Sequence, residues 1–201
     1  MLLYNMLGNL IESGLIVNVR ELKEAYPKIL LWFFAYPTRE IGLNDLSEAL
    51  VISKTTAHRI VEQLVKEGFL KKEVLGKIWR ISCNQNHVYN YSKKIAYNLI
   101  LIYESGIIKK IRKVIQNPRA IILLGSYRKG DDTEISDIDI AVEVLGNENL
   151  KIENIGTIKK FGYRNNVPVN LHIFSRNGID LNLFANIANG ILLEGFLEVR
   201  P

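Results

Sequence analysis

The sequence has 201 residues, 48% of them apolar, and a formal net charge of +5. This composition excludes a disordered chain, and the length suits one large folded domain or two small ones. A single cysteine, Cys83, excludes an internal disulfide and a cysteine-built zinc site. We find no long uncharged apolar window and no basic, cleavable leader, so the sequence predicts a cytoplasmic protein with no membrane segment.

The charge is unevenly distributed along the chain. Residues 1–117 hold 17 Lys and Arg against 10 Asp and Glu, whereas residues 118–201 hold 9 against 11. A basic front half favours a polyanionic partner such as nucleic acid, although an excess of charge is also typical of an ordinary hydrated surface.

The front of the chain predicts three helices followed by a hairpin. Residues 19–36 show helical spacing of apolar positions that stops at Pro37. Asn44 is expected to cap a second helix and Ser53 a third, which Gly68 would end. The stretches "FLKKEV" and "KIWRIS", joined by "LG", then predict a two-stranded hairpin.

Three helices and a basic hairpin in this order resemble a winged helix-turn-helix domain, which we place at residues 1–83. The resemblance implies that the third helix enters the major groove of DNA and that the hairpin lies along the phosphates. The same pattern also suits a protein–protein or dimerisation module. The DNA-contacting candidates are Lys54, Thr55, Thr56, His58 and Arg59 on the third helix, with Lys71, Lys72, Lys77 and Arg80 on the hairpin.

Residues 84–117 predict a helical linker. Apolar residues recur at helical spacing on both sides of Ser105 and Gly106, and the pattern ends before Pro118. These helices could pair with their copy in a homodimer. The basic cluster "KKIRK" could extend a nucleic-acid surface, or it could simply suit the negative end of a helix dipole.

The stretch "ILLGSYRKGDDTEISDIDIAVEV", residues 122–144, carries the chemistry of the back half. Its apolar start predicts a buried strand, after which Gly125 and Ser126 predict a tight turn into a helix whose N–H groups receive phosphate. Gly130 is a further candidate for nucleotide binding, because it would let the following loop approach closely. Asp137 and Asp139, two residues apart on the next strand, share one face with their α-carbons about 7 Å apart.

Two neighbouring carboxylates on an apolar strand repel each other and lose hydration unless a cation neutralises them. Mg²⁺ suits the pair because it prefers hard oxygen ligands and shares its remaining positions with water and phosphate. The alternative is that Asp137 and Asp139 cap a turn at an exposed strand end.

"LLGSYRKG" followed by "SDIDIAV" resembles the nucleotidyltransferase superfamily related to DNA polymerase beta, and its minimal nucleotidyltransferase domains in particular. We place this domain at residues 118–201, as an α/β domain with a mixed sheet, which makes the whole chain α+β. The resemblance implies that Gly125 and Ser126 hold the phosphates of a nucleoside triphosphate such as ATP. It also implies that Asp137 and Asp139 hold Mg²⁺ while a nucleotide passes to an acceptor.

The departure from that family lies at its third carboxylate, because the alternation of "VPVNLHIFS" places Asn170 there. Asparagine can coordinate a metal through its carbonyl oxygen but cannot accept a proton, and loss of acid–base help typically costs about 10² to 10⁴ in rate. His172 is either a substitute base or a polar residue at the edge of the site.

Two interpretations of the whole chain follow. In the first, it is a Mg²⁺-dependent nucleotidyltransferase with a DNA-binding winged helix and an unidentified acceptor, which could be a protein. In the second, it is a DNA-binding regulator whose degenerate domain only binds or senses nucleotide.

Overall fold

The computed structural model describes residues 19–199 except 77 and 148, and for residues 19–24 it describes the backbone alone. The chain divides into two compact units that meet in sequence between Asn84 and Gln85, with residues 34–37 belonging to the second unit. Helices and a hairpin make the first unit and a mixed sheet with helices makes the second, which confirms the predicted α+β class. No helix of the described chain combines the length and apolar character that crossing a membrane requires.

The first unit follows the predicted order of three helices and a hairpin. Antiparallel pairing joins the two strands of the hairpin from Leu70–Cys83 to Leu75–Ile78, and Ile41 adds a short bridge to Ile81. The elements are α1 (Val19–Ala35), α2 (Leu43–Leu50), α3 (Lys54–Lys66), β1 (Leu70–Leu75) and β2 (Ile78–Cys83).

The turn between α2 and α3 is set by capping and by a buried stripe. Ser53 caps α3 as predicted, because its hydroxyl accepts the Thr56 N–H at 3.1 Å. The predicted cap at Asn44 is wrong, since α2 begins at Leu43 after Gly42 and thereby buries the Leu43 side chain. The third helix packs into the core through buried Ala57, Ile60, Val61 and Leu64.

The second unit is built on a five-stranded sheet with strand order β5-β6-β4-β3-β7. Strands β4 and β6 are parallel, and the other neighbours are antiparallel. Its elements are α4 (Lys93–Glu104), α5 (Ile107–Val114), β3 (Ala120–Leu123), α6 (Gly125–Lys129), β4 (Ile138–Glu143), β5 (Lys151–Phe161), β6 (Arg164–Phe174), α7 (Leu181–Ala188) and β7 (Ile191–Gly195).

The helices predicted as a linker contribute to the core of the second unit. Ile102, Ile107 and Ile111 are buried in one apolar cluster with Ile121 and Leu123 of β3. A second cluster, which joins Ala120, Ile122, Ala141, Phe174 and Ile187, packs α7 against other residues of the sheet. Because alternate residues of β3 belong to different clusters, both faces of the sheet are covered, as its continuous apolar run predicts.

Candidate functional site

The end of β3 and the start of β4 lie side by side, because these strands are antiparallel neighbours. The Leu124 N–H donates to the Asp139 carbonyl at 2.9 Å. Gly125 follows with a φ of +64°, and a Cβ at this position would lie 2.8 Å from Oδ2 of Asp139. The predicted turn and the second predicted aspartate are therefore in contact, and a Cβ at position 125 would require that carboxylate to shift.

Strand β6 brings two polar side chains to the paired aspartates. The amide nitrogen of Asn170 donates to Oδ2 of Asp137 at 3.2 Å, and Nε2 of His172 lies 3.1 Å from Oδ1 of Asp139. All four side chains are half-buried. Asp137 therefore contacts Asn170, and Asp139 contacts His172, so β6 supplies one partner to each aspartate.

Asn154 on the edge strand β5 is a site residue that the sequence pattern did not reveal. Its Nδ2 donates to Oδ1 of Asn170 at 3.0 Å, and its own Oδ1 accepts the Gly156 N–H at 2.9 Å. Asn154 sits at a register shift between residues 154 and 157. This bulge breaks the alternation that would otherwise reveal the strand in the sequence.

Buried Arg164 supports the loop that leads into Asp137, and the sequence pattern did not reveal it either. Its NH2 donates to the Ser136 carbonyl at 2.7 Å, and its NH1 donates to the hydroxyl of Tyr127 on α6. Burial raises the pKa of the Tyr127 phenol above its ordinary value, against the lowering effect of the neighbouring guanidinium. Arg164 thus connects α6, which follows the glycine–serine turn, to the residue before Asp137.

A buried ion pair holds the loop between α6 and β4. Lys94 and Asp132 are 1% and 3% exposed, with 3.3 Å between Nζ and Oδ1, and Asn98 also donates to Asp132 at 2.8 Å. Burial raises the pKa of the Asp132 carboxyl, and the Lys94 ammonium and the Asn98 hydrogen bond oppose that rise. This loop is therefore anchored to α4 by charge as well as by packing.

Two structural features bear on the predicted phosphate-binding turn: the surroundings of Gly130 and the length of α6. Gly130, predicted to contact nucleotide, is buried with a φ of +80°, and a Cβ there would overlap the Asn90 carbonyl. Close packing against the chain before α4 explains why glycine stands at this position, and its contact with nucleotide stays a prediction. Helix α6 spans five residues, so its dipole contributes less to phosphate binding than a longer helix would.

The described residues offer a partial ligand set for a metal ion. Within them, no group of three or more His, Cys, Asp and Glu side chains is arranged to hold a metal. Mg²⁺ is commonly bound by one or two carboxylates together with substrate phosphates, and Asp137 and Asp139 fit that requirement. The donor set therefore suits a cation that arrives with a triphosphate, not a cation caged by protein alone.

On the first unit, most of the α3 candidates face solvent. Lys54, Thr55, His58 and Arg59 are exposed, and the His58 ring lies 4.5 Å from that of Trp79. Thr56 is only 8% exposed, and its hydroxyl receives a 2.7 Å hydrogen bond from Ser53. Thr56 therefore takes part in the helix cap, and its contact with DNA stays a prediction.

The hairpin carries less available positive charge than the sequence suggested. Lys72 pairs with Glu62 at 2.5 Å and lies 4.2 Å from the Trp79 ring, while Arg80 pairs with Glu40 and Glu73, each at 3.3 Å. Lys71 is exposed. Lys77, another candidate, lies outside the described residues.

Comparison with known families assigns a match to each half of the chain. A family model described as a nucleotidyltransferase domain matches residues 105–190, and one described as an IclR helix-turn-helix domain matches residues 29–73. No curated protein matches the chain. The first match covers Asp137, Asp139 and Asn170, and it begins between α4 and α5, so it includes α5, which packs into the same core.

Proposed function

Because this chain joins a nucleotidyltransferase domain to an IclR helix-turn-helix domain, we propose that it is a Mg²⁺-dependent nucleotidyltransferase that also binds DNA. It takes a nucleoside triphosphate and passes the nucleotide to an acceptor hydroxyl. The observation that carries this proposal is the contact between the glycine–serine turn and the aspartate pair, where Gly125 leaves space for the Asp139 carboxylate.

The residues divide the work between phosphate and cation. Gly125 and Ser126 hold the phosphates, and Asp137 and Asp139 hold Mg²⁺, which when bound offsets the charge of the triphosphate. Asn170 orients the Asp137 carboxylate, and His172 orients the Asp139 carboxylate, each through one hydrogen bond. The acceptor oxygen forms a bond to the α-phosphorus while the bond to pyrophosphate breaks, pyrophosphate leaves, and the hydroxyl proton passes to solvent.

The helix-turn-helix domain supplies the DNA contact. Helices α2 and α3 form the helix-turn-helix motif, whose second helix lies in the major groove of DNA. The exposed side chains at the start of α3 suit that position. The acceptor itself stays a prediction, with DNA and a partner protein as the two candidates, and so does a homodimer.

The second candidate is a DNA-binding regulator that senses nucleotide without turning it over. It is favoured by Asn170, whose amide stands where the family has a third carboxylate and is hydrogen-bonded on both sides. In this candidate, nucleotide binding changes the affinity for DNA. Because coupling between two ligands is reciprocal, DNA binding must then change the affinity for nucleotide by the same factor.

Label transfer separates the two candidates. We would incubate the protein with labelled nucleoside triphosphates, Mg²⁺ and candidate acceptors, and compare it with Asp137→Asn/Asp139→Asn and with Asn170→Asp. Label transfer that the double change abolishes supports the transferase. Transfer that appears only after Asn170→Asp supports the regulator.

A further inference from the structure

The orientation of the Asn170 amide is fixed by a backbone group two residues beyond Asn154. The Gly156 N–H can only donate, so the atom of Asn154 that faces it at 2.9 Å must be the amide oxygen. The nitrogen of Asn154 then faces Asn170 at 3.0 Å, which requires the oxygen of Asn170 at that contact. The nitrogen of Asn170 is left to face Asp137 at 3.2 Å.

This orientation places a donor where a metal ligand would be needed. An amide nitrogen has no lone pair for a hard cation, whereas an amide oxygen does. Turning the Asn170 amide over would set two NH₂ groups against each other at Asn154. Turning Asn154 as well would set its NH₂ against the Gly156 N–H.

The segment that holds Asn154 is itself constrained. Gly156 has a φ of +101° in the bulge, and the Lys110 ammonium donates to the Ile155 carbonyl at 2.6 Å. Since α5 and the bulge are joined in this way, the backbone N–H that orients the two amides is held in place.

We propose that this site binds one divalent cation with its nucleoside triphosphate, and that the locked Asn170 amide excludes a second cation beside the acceptor. The inference rests on the proposed nucleotide–cation binding and deepens it. Two-metal sites set their ions about 3.5–4 Å apart, and each ion requires anionic ligands. A single cation leaves the acceptor hydroxyl without metal activation, so turnover is slow and Asn170→Asp accelerates it.

The test counts the Mn²⁺ held by the protein after equilibrium dialysis against excess Mn²⁺ and an α,β-methylene ATP analogue, with the total Mn²⁺ in each chamber read by paramagnetic resonance after release in acid. The full chain should hold one Mn²⁺ above the blank given by Asp137→Asn/Asp139→Asn, and Asn170→Asp should hold two. Asn154→Ala, which frees the Asn170 amide to turn, should admit a second, weaker ion. Asn165→Asp adds the same charge to an exposed position of β6 and should still hold one.

Two ions in the unaltered chain overturn the inference, and so does a single ion in both Asn170→Asp and Asn154→Ala. No Mn²⁺ above the blank overturns the proposed nucleotide–cation site itself, so the two failures are distinguishable. Circular dichroism shows that each variant is folded, and Asn154→Ala keeps the test decisive if Asn170→Asp does not fold.

Discussion

Gly125 is constrained both by its backbone conformation and by its contact with the Asp139 carboxylate. Its φ of +64° would strain any residue with a Cβ, and that Cβ would also lie 2.8 Å from the Asp139 carboxylate. Gly106 has a similar φ of +74°, but a Cβ added there would meet nothing within 4 Å, so it isolates the backbone effect.

We expect Gly125→Ala and Gly106→Ala to lose similar stability, roughly 1–2 kcal/mol from the left-handed conformation. Only Gly125→Ala should also displace Asp139 and lower the affinity for the Mn²⁺–analogue complex, by about tenfold or more. Thermal unfolding and equilibrium dialysis measure the two effects. Equal affinities in the two variants would show that the Asp139 carboxylate is not held by this contact.

Arg164 supports the loop before Asp137 through its hydrogen bonds to Ser136 and Tyr127. A substitution that keeps the positive charge but changes the hydrogen-bonding geometry separates these two properties. Arg164→Lys keeps the cation but loses the planar fork that reaches both Ser136 and Tyr127. We expect the free energy of unfolding to fall by roughly 1–3 kcal/mol, because buried acceptors lose their donor. Arg128→Lys, on the half-exposed side of α6, is the matched control and should change urea unfolding by less than about 0.5 kcal/mol.

At the scale of elements, α4 packs against the turn between β5 and β6 through Tyr97. The Tyr97 hydroxyl lies so close to Gly162 that a Cβ there would overlap it. Burial raises the pKa of Tyr97 from 10.0 to about 12, with smaller contributions from Tyr163 and Glu104. The folded state therefore favours the neutral phenol.

This shift predicts a loss of stability in alkali. Below pH 10 the phenol is neutral in both states, and as the pH rises from 10 through 12 the unfolded state ionises first. At pH 11 the folded state should have lost about 1.4 kcal/mol through Tyr97. Between pH 9 and pH 11, guanidinium unfolding should show a loss that is smaller by about 1.4 kcal/mol in Tyr97→Phe than in the unaltered chain or in Tyr91→Phe, whose tyrosine is exposed. The buried Tyr127 phenol, whose pKa is also raised, lowers stability in alkali in all three proteins.

The elements that the sequence predicted well are those with an unbroken period. The stripe of α3 buries Ala57, Ile60, Val61 and Leu64 and leaves Val65 half-buried, and the apolar run of β3 is buried from Ala120 to Leu123. Strand β5 escaped prediction because its bulge places Ile155 and Ile158 on the core at a spacing of three, which imitates a helix. The bulge in β5 is therefore the reason that the sequence pattern did not predict the strand that supplies Asn154.

The same reasoning explains which site residues the sequence could and could not reveal. Asp139 and Asn170 follow from the alternation at the start of β4 and over Val167–Leu171 of β6, and Asp137 directly precedes β4. Arg164 lies before Asn166, whose φ of +53° interrupts the alternation of β6, so a buried arginine occupies a position that reads as exposed. Tertiary packing, not local pattern, decides such positions.

At the scale of the whole molecule, the two units carry similar net charges, +2 for the first (11 Lys and Arg against 9 Asp and Glu) and +3 for the second (15 against 12), so net charge does not single out the unit that contacts DNA. DNA affinity measured on the full chain tests the first unit directly, because each phosphate contact releases counterions and makes binding fall with salt. Lys54 and Arg59 are exposed at the start of α3, whereas Lys66 is exposed at its other end.

We expect the affinity of the full chain for a labelled duplex to fall steeply between about 50 and 200 mM salt. If Lys54 and Arg59 both contact phosphate, the Lys54→Ala/Arg59→Ala variant should reduce the slope of log K against log salt by about 1.8, whereas Lys66→Ala should leave it unchanged. Fluorescence anisotropy titrations at several salt concentrations measure the slopes. Equal slopes for all three proteins would instead favour the protein–protein role of the helix-turn-helix domain, since a protein interface at α3 does not require release of counterions from DNA.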